Sequence, residues 1–521
     1  MKFTRNEAIE RIESTSQWDI TIIGGGATGL GIAVDAASRG YKTLLIEKYD
    51  FAKGTSSKST KLVHGGVRYL ANGDVKLVMS ALKERGLIFK NAPHVSFVQS
   101  FVIPSYSFFN KMKFLIGLKL YDWMAGKLRI GQSTLLSKKE VMEKLPKVKQ
   151  KSLIGGIQYF DGQFDDARLA LNLGQTASEH GAVVLNYAEA TAITKDENGK
   201  VIGLEFLDSG SNKTYKIKSK AVINATGIFV DDILKLDVAA HKNLVRPSQG
   251  AHIVIDKKFL GNIDALMIPE TSDGRVLFGV PWHGKVLLGT TDTPLNEHQI
   301  EPRPLEEEIE FILKTADAYL DNAPTRQDVL SVFAGLRPLA APTDKDSNST
   351  KEISRDHKLI KSKSDLITIT GGKWTTYRKM AEETVDLAIG VGGLTPIPCA
   401  TTMLKIHGYT TERQAGHWQV YGSDTQEIIN LANENPSLGN RLHKDFDFIE
   451  AEVVWSCRNE MIYNIEDFLA RRIRFLLLDA KASLQAAPRV AEIMATELQK
   501  DENWVKSQLD SYTQLVKNYT L

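Results

Sequence analysis

The stretch WDITIIGGGATGLG, residues 18–31, decides the fold. A short apolar strand runs into a glycine cluster, and small residues suited to a close-packed helix follow. The spacing Gly24-x-Gly26-x-x-Gly29 has a physical reason: one glycine makes the tight turn, the next lets backbone amides approach a pyrophosphate, and the third lets helix and strand pack closely. The helix N-terminus then faces the anion. Beyond Gly40, residues 41–46 read as a second strand ending at Glu47, where a carboxylate can accept from ribose hydroxyls. An acid there argues against a 2′-phosphate. Strand, glycine turn, helix, strand and acid together specify a dinucleotide-binding α/β unit.

A length of 521 residues predicts two or three domains, and 42% hydrophobic with 25% charged residues is ordinary for a soluble globular protein. A formal net charge of +2 provides no broad field to attract nucleic acid. The two cysteines, Cys399 and Cys457, fit a reducing compartment and exclude a multi-cysteine zinc or iron-sulfur site; no metal is expected. The N-terminal MKFTRNEAIERIESTSQWD lacks an apolar signal core, and its acids speak against a transit peptide. No run of eighteen apolar residues occurs, so a spanning helix is not expected and the cytosol is the starting expectation.

The pattern predicts a helix from Asp165 to about His180, a strand over 182–187, and a hairpin turning at DSGSN, residues 208–212. KAVINATG, residues 220–227, reads as a further strand ending in small residues. Antiparallel strands over 251–255, 275–282 and 285–291 suggest a separate mixed β domain, and 329–338 returns to it. The strand 364–370 ends at Gly371-Gly372-Lys373, a second junction of strand, glycine turn and helix. From about residue 400 the chain favours helices, among them 465–482 and 487–500.

TSSKSTKLVHGGVRYL, residues 55–70, follows the dinucleotide-binding opening and brings serine, histidine, glycine and arginine together, so a cofactor site runs into a substrate site. With FDDARL, NATG, GAHIVI, LLGTTDT, GLRPL, SRDH and GGKWTTYRKMAE in order, the chain resembles the FAD-dependent glycerol-3-phosphate dehydrogenases, within the glycine/D-amino-acid oxidase-like flavoproteins. The resemblance implies an α/β fold with a Rossmann-like FAD-binding domain of the glutathione-reductase/D-amino-acid-oxidase type. A mixed antiparallel β substrate domain and a C-terminal helical domain complete it. The boundaries expected are 18–90, 150–240 and 345–395 for the FAD-binding domain, 91–149 and 241–344 for the substrate domain, and 400–521 for the helical domain. One departure from the family pattern is Ile228-Phe229 after NATG, where proline and tryptophan are usual.

FAD is the implied cofactor. Gly24, Gly26, Gly29 and Glu47 suit its ADP half, and Thr226 and Gly227 bring a second backbone turn to it. Thr55, Ser56, Ser57, Ser59 and Lys61 are candidate donors to the pyrophosphate and flavin edge. His64, Gly65 and Gly66 allow backbone close to the ring, while Gly372 and Lys373 can offer amides where charge develops on reduction. A phosphate dianion needs cations, and the motifs supply Arg68, Arg337, Arg355 and Lys373, with Tyr69 as a hydrogen-bonding neighbour. For the proton of the C2 hydroxyl, His252 is the first choice and His64 the second, with Arg337 or Lys373 polarising the hydroxyl.

The resemblance thus implies oxidation of sn-glycerol 3-phosphate to dihydroxyacetone phosphate, with hydride from C2 to flavin N5 and electrons to a membrane quinone. A peroxide-forming glycerophosphate oxidase, an amino-acid or hydroxy-acid enzyme, and a flavin-holding sensor without turnover are the alternatives. Residues 108–130, FFNKMKFLIGLKLYDWMAGKLRI, interleave large apolar side chains with Lys and Arg, as in a helix lying in a bilayer surface; a buried helix is the other reading. The resemblance favours attachment to the inner face of the cell membrane. A homodimer is compatible with all of this.

Overall fold

The computed structural model describes residues 3–66, 74–271, 274–340 and 357–521. Its first sheet has a parallel centre in the order Ile367–Thr370, Lys213–Asn224, Trp18–Ile23, Thr43–Ile46 and Val183–Leu185. Ile22 sits between Ile223 and Leu45, and these central strands are nearly all apolar because both sheet faces are covered. One face packs the helices Ala27–Ser38, Asp166–Glu179 and Tyr377–Val391. Crossing is close: a Cβ at Gly31 would stand 2.7 Å from the Tyr377 ring. The other face is closed by the helix Arg5–Ser14 and the antiparallel strands Ala188–Lys195 and Val201–Asp208. The expected hairpin joins Asp208 to Lys213 through Asn212 at φ +55°.

A second sheet of ten strands among the described residues carries the substrate side. Val245–Asp256 pairs along its length with Val329–Ala340 and on its other edge with Lys285–Gly289. Ser96–Ser105 pairs with Gly155–Phe164, from Ser96 opposite Phe164 to Ser105 opposite Gly155. That pairing corrects one expected boundary. Residues 155–164, assigned from sequence to the cofactor domain, belong to the second sheet, as does the short strand Leu62–Val63 on the edge of Gly155–Phe164. The run GGIQYFDGQF carries no polar face that would mark which sheet it joins, so the choice rests on long-range pairing.

The C-terminal region is helical, with a small hairpin of Arg441–His443 and Phe446–Ile449. Its core includes Val254, Trp282, Leu287 and Phe333 of the second sheet, so the region is seated on that sheet. The expected helix 465–482 is broken into a π-helical turn, Asp467–Arg472, a left-handed Arg474 and a short turn, Phe475–Leu478. The next helix, Ala480–Glu497, runs through Pro488 without interruption.

Candidate active site

A cavity of about 420 Å³ lies over the parallel strand ends and is lined from Ile23 to Trp374. Gly24 turns at φ +113°, and a Cβ there would fall 2.7 Å from the Ala225 carbonyl oxygen. A Cβ at Gly29 would fall 1.9 Å from the carbonyl oxygen of Gly24, so the helix can reach the turn only without a side chain. Gly29 acts through packing and does not line the cavity. Glu47 accepts from the backbone N–H of Gly25 at 2.6 Å and of Tyr49 at 2.8 Å, which fixes its carboxylate on the cavity wall. Burial pushes its pKa above the usual carboxylate range.

Opposite, Thr226 and Gly227 line the wall after Asn224, whose Oδ1 accepts from the Thr226 hydroxyl at 2.7 Å. Gly371 and Gly372, at φ +78° and +72°, turn the chain so that Lys373 lines the cavity just before the helix Tyr377–Val391. Thr55 and Ser56 also line it. The Ser56 hydroxyl accepts from the N–H of Ala27 at 2.9 Å, occupying an amide at the start of the helix Ala27–Ser38. A cavity bounded by the glycine turns at Gly24, Gly227 and Gly371-Gly372, with a carboxylate on its wall, fits the dinucleotide that the sequence implies.

Three expected donors serve another purpose. Lys61 is wholly buried, and its Nζ donates to Asp166 at 2.7 Å and to the Ser57 carbonyl at 2.6 Å. Burial draws its pKa down to about 7. The Ser59 hydroxyl also donates to Asp166, at 2.7 Å. Neither Ser57, Ser59 nor Lys61 lines the cavity: Ser59 and Lys61 are drawn inward by the buried Asp166, and the Ser57 carbonyl accepts from Lys61 and Arg474.

The turn His64-Gly65-Gly66 is held from beneath. Gly65 N–H donates to Tyr121 Oη at 2.7 Å, Tyr121 donates to Asp161 at 2.7 Å, and Arg85 pairs with Asp161 at 2.9 Å. Gly66 has φ +76°. The His64 N–H donates to the Thr375 hydroxyl at 3.3 Å, which ties this turn to the Gly372-Lys373 turn. Burial lowers the His64 pKa, and the cations of Lys373 and Arg85 lower it further.

On the second sheet, Ser248 faces Arg337 across the strand pair. The Arg337 guanidinium donates to Thr290 Oγ1 and the Thr291 carbonyl, both at 3.1 Å, and to Asp292 at 3.3 Å. His252 lies two strand positions inward of Gly250, against which the Arg337 head packs. Its ring stacks on Phe333 at 4.9 Å, and Nε2 shares a hydrogen bond with Thr60 Oγ1 at 2.9 Å. Nδ1 has no hydrogen-bond partner among the described residues. Burial lowers the His252 pKa well below its ordinary value, with Lys61 and Arg337 adding to the effect, so the ring is neutral. Arg68, Tyr69 and Arg355 lie outside the described residues.

Sequence reading missed Trp374, whose indole N–H donates to the Ser56 carbonyl at 2.8 Å, although it stands inside the quoted GGKWTT motif. It also missed Lys53, Phe229 and Ile300 in the cavity wall and the Tyr121-Asp161-Arg85 support, for which no local pattern gives a signal.

Residues 19–377 match the family model described as FAD dependent oxidoreductase, and residues 362–505 match that of the C-terminal domain of alpha-glycerophosphate oxidase. The chain is 39% identical to the mitochondrial glycerol-3-phosphate dehydrogenase SDP6 of Arabidopsis thaliana, over 96% of this chain and 86% of the relative. It is 37% identical to the mitochondrial glycerol-3-phosphate dehydrogenase of Saccharomyces cerevisiae, over 99% and 92%. Among solved structures, the glycerol-3-phosphate dehydrogenase from Bacillus halodurans complexed with FAD superposes with a TM-score of 0.80 at 30% identity, covering 99% of this chain and 97% of that one.

Proposed function

The chain belongs to the FAD-dependent glycerol-3-phosphate dehydrogenases, and on that premise we propose that it oxidises sn-glycerol 3-phosphate to dihydroxyacetone phosphate and delivers the electrons to a membrane quinone. One observation carries the reading: a single glycine-turned cavity is lined by both Glu47 and Gly372-Lys373, with the oriented Arg337 and neutral His252 on the second sheet. Gly24, Gly26, Glu47, Thr55, Ser56, Thr226, Gly227 and Gly372 would hold the FAD. When bound, FAD supplies the acceptor, at N5, for the hydride leaving C2 of the substrate.

Arg337 binds the phosphate dianion together with Lys373 and with Arg68 and Arg355. Its planar head is already oriented by Thr290, Thr291 and Asp292, so less freedom is lost on binding. His252 takes the C2 hydroxyl proton. It is kept neutral, and its Nδ1 makes no hydrogen bond among the described residues. Burial, and then the cations of Lys61 and Arg337, make a lasting imidazolium costly, so the ring gives the proton up to solvent before the next turnover. His64, beside Lys373, is the second candidate.

Anaerobic titration of the purified holoprotein with sn-glycerol 3-phosphate tests the reading. Bleaching of the visible flavin band at stoichiometric substrate is expected, followed by fast recovery with a soluble quinone and slow recovery with oxygen. Failure to bleach while dithionite still reduces the flavin sinks the substrate assignment. Rapid recovery in oxygen with release of peroxide favours the oxidase instead.

Membrane attachment is supported by the helix Phe108–Met124. It buries Leu118, Tyr121 and Asp122, while Phe109 and Trp123 are each 76% exposed and Phe108 and Ile116 are also exposed. Lys113 and Lys119 are distributed along the same helix, as in a helix lying at a headgroup layer. No helix among the described residues is long and apolar enough to cross a membrane. Flotation with vesicles containing anionic lipid checks this. Phe109→Glu and Trp123→Glu are each expected to lower the bound fraction about tenfold or more, since one buried aromatic contributes about 1.5–3 kcal/mol. Undiminished flotation of both would remove this helix from the contact.

A further inference from the structure

We propose that the C-terminal helical domain is a clamp on the cofactor loop, and that Arg471, Arg472, Arg474 and Glu466 are positioning residues for FAD retention. The inference rests on the reading of the cavity as the FAD site. Residues 50–57 follow the ribose-binding end of the first unit and form part of the cavity wall through Ala52, Lys53, Gly54, Thr55 and Ser56. Ala52 N–H donates to the Gly25 carbonyl at 2.9 Å, and Ser56 caps Ala27, so this loop lies directly on the glycine turn. Its position therefore sets the position of the turn.

Beside anchors from Leu336, Trp374 and Lys61, the two ends and the middle of this loop are each held by a group from beyond residue 465. Arg472 grips the fully buried Asp50 with two nitrogens, at 2.7 and 2.9 Å, and Arg471 Nε adds a third contact at 2.5 Å. Glu466 pairs with Lys53 at 2.7 Å. Arg474 donates to the Ser57 carbonyl at 2.9 Å and to Asp166 at 2.7 Å, the carboxylate that also holds Lys61 and Ser59. Both Arg472 and Arg474 are buried.

The backbone that presents these groups is irregular in a way the clamp explains. Arg471 and Arg472 close a π-helical turn, and Arg474 adopts φ +64°, a left-handed conformation that a non-glycine residue rarely takes. A regular helix would spread the three guanidinium groups around its axis at about 100° per residue. Here the break directs all three to one loop. Ordinary domain cohesion needs no such convergence, because the apolar core shared with Phe333 and Trp282 already seats the domain.

The test measures FAD affinity of the apoprotein by fluorescence quenching, beside thermal unfolding of the same samples. Glu466→Gln, near the surface of the cluster, and Arg474→Lys, which keeps the charge, are each expected to weaken FAD binding about tenfold or more while far-ultraviolet dichroism stays native. Val490→Ala, a core truncation in the same domain away from the loop, is expected to lower the melting temperature and leave FAD affinity within about twofold. Unchanged FAD affinity in both Glu466→Gln and Arg474→Lys overturns the clamp, whatever their melting temperatures. Equal loss of affinity in Val490→Ala also overturns it, since general loosening would then be the cause. Gly29→Ala separates the premise: wild-type FAD affinity in that variant would refute the cavity assignment, and the clamp with it.

Discussion

Arg337→Ala is expected to lower kcat/KM for sn-glycerol 3-phosphate about a thousandfold, with most of the loss in KM. Two charge-assisted hydrogen bonds to phosphate are worth about 1.5–3 kcal/mol each, and about 4 kcal/mol in total corresponds to three decades. The loss falls on binding because the phosphate is remote from the carbon that reacts, so the contact is present in substrate and transition state alike. Arg337→Lys should fall between the two, since it keeps the charge but loses the planar head that Thr290, Thr291 and Asp292 orient. Steady-state kinetics with a soluble acceptor measures both. A KM unchanged within twofold in Arg337→Ala would remove this residue from the phosphate site.

The second large effect is on the cofactor. In Gly29→Ala the added methyl group meets a backbone carbonyl 1.9 Å away, and no rotamer can relieve it. Either the helix Ala27–Ser38 lifts from the strand or the Gly24 turn moves, and both disturb the amides that face the pyrophosphate. Overpacking of this kind costs about 3 kcal/mol, the upper part of its usual range, because the partner is main chain. The expected result is FAD binding about a hundredfold weaker and protein that purifies nearly colourless. Normal flavin content by absorbance would contradict it.

Much of this was legible in the chain. Gly24, Gly26, Gly29 and Glu47 announce themselves because a close approach of backbone to phosphate permits few residues, and the chemistry is local. The turn at 208–212 is readable for the same reason. The partition of Ser59 and Lys61 was not: a hydroxyl or ammonium beside a cofactor motif looks the same whether it reaches the ligand or turns to Asp166. That carboxylate is about a hundred residues away in sequence, and only the fold shows it buried beneath them. The same holds for Arg471, Arg472 and Arg474, which lie in a segment read only as helix-forming and are buried partners of Asp50, Asp166 and Ser57. Burial of charge is invisible to pattern, since composition places such residues on the surface.

The order in which the cavity wall is drawn from the chain also bears on biogenesis. Its first glycine turn is complete by residue 29, but the facing turn comes from Gly371-Gly372, and the loop between them is fastened by Arg474. A nascent chain thus carries an exposed, unfinished parallel sheet for most of its synthesis, and the strand Ile367–Thr370 must find Lys213–Asn224 before that sheet closes. Flavin capture is consequently a late event, dependent on nearly the whole polypeptide. Chains truncated before residue 470 are therefore expected to aggregate or be degraded, leaving no colourless but stable store awaiting cofactor, which the soluble yield of such truncations would measure.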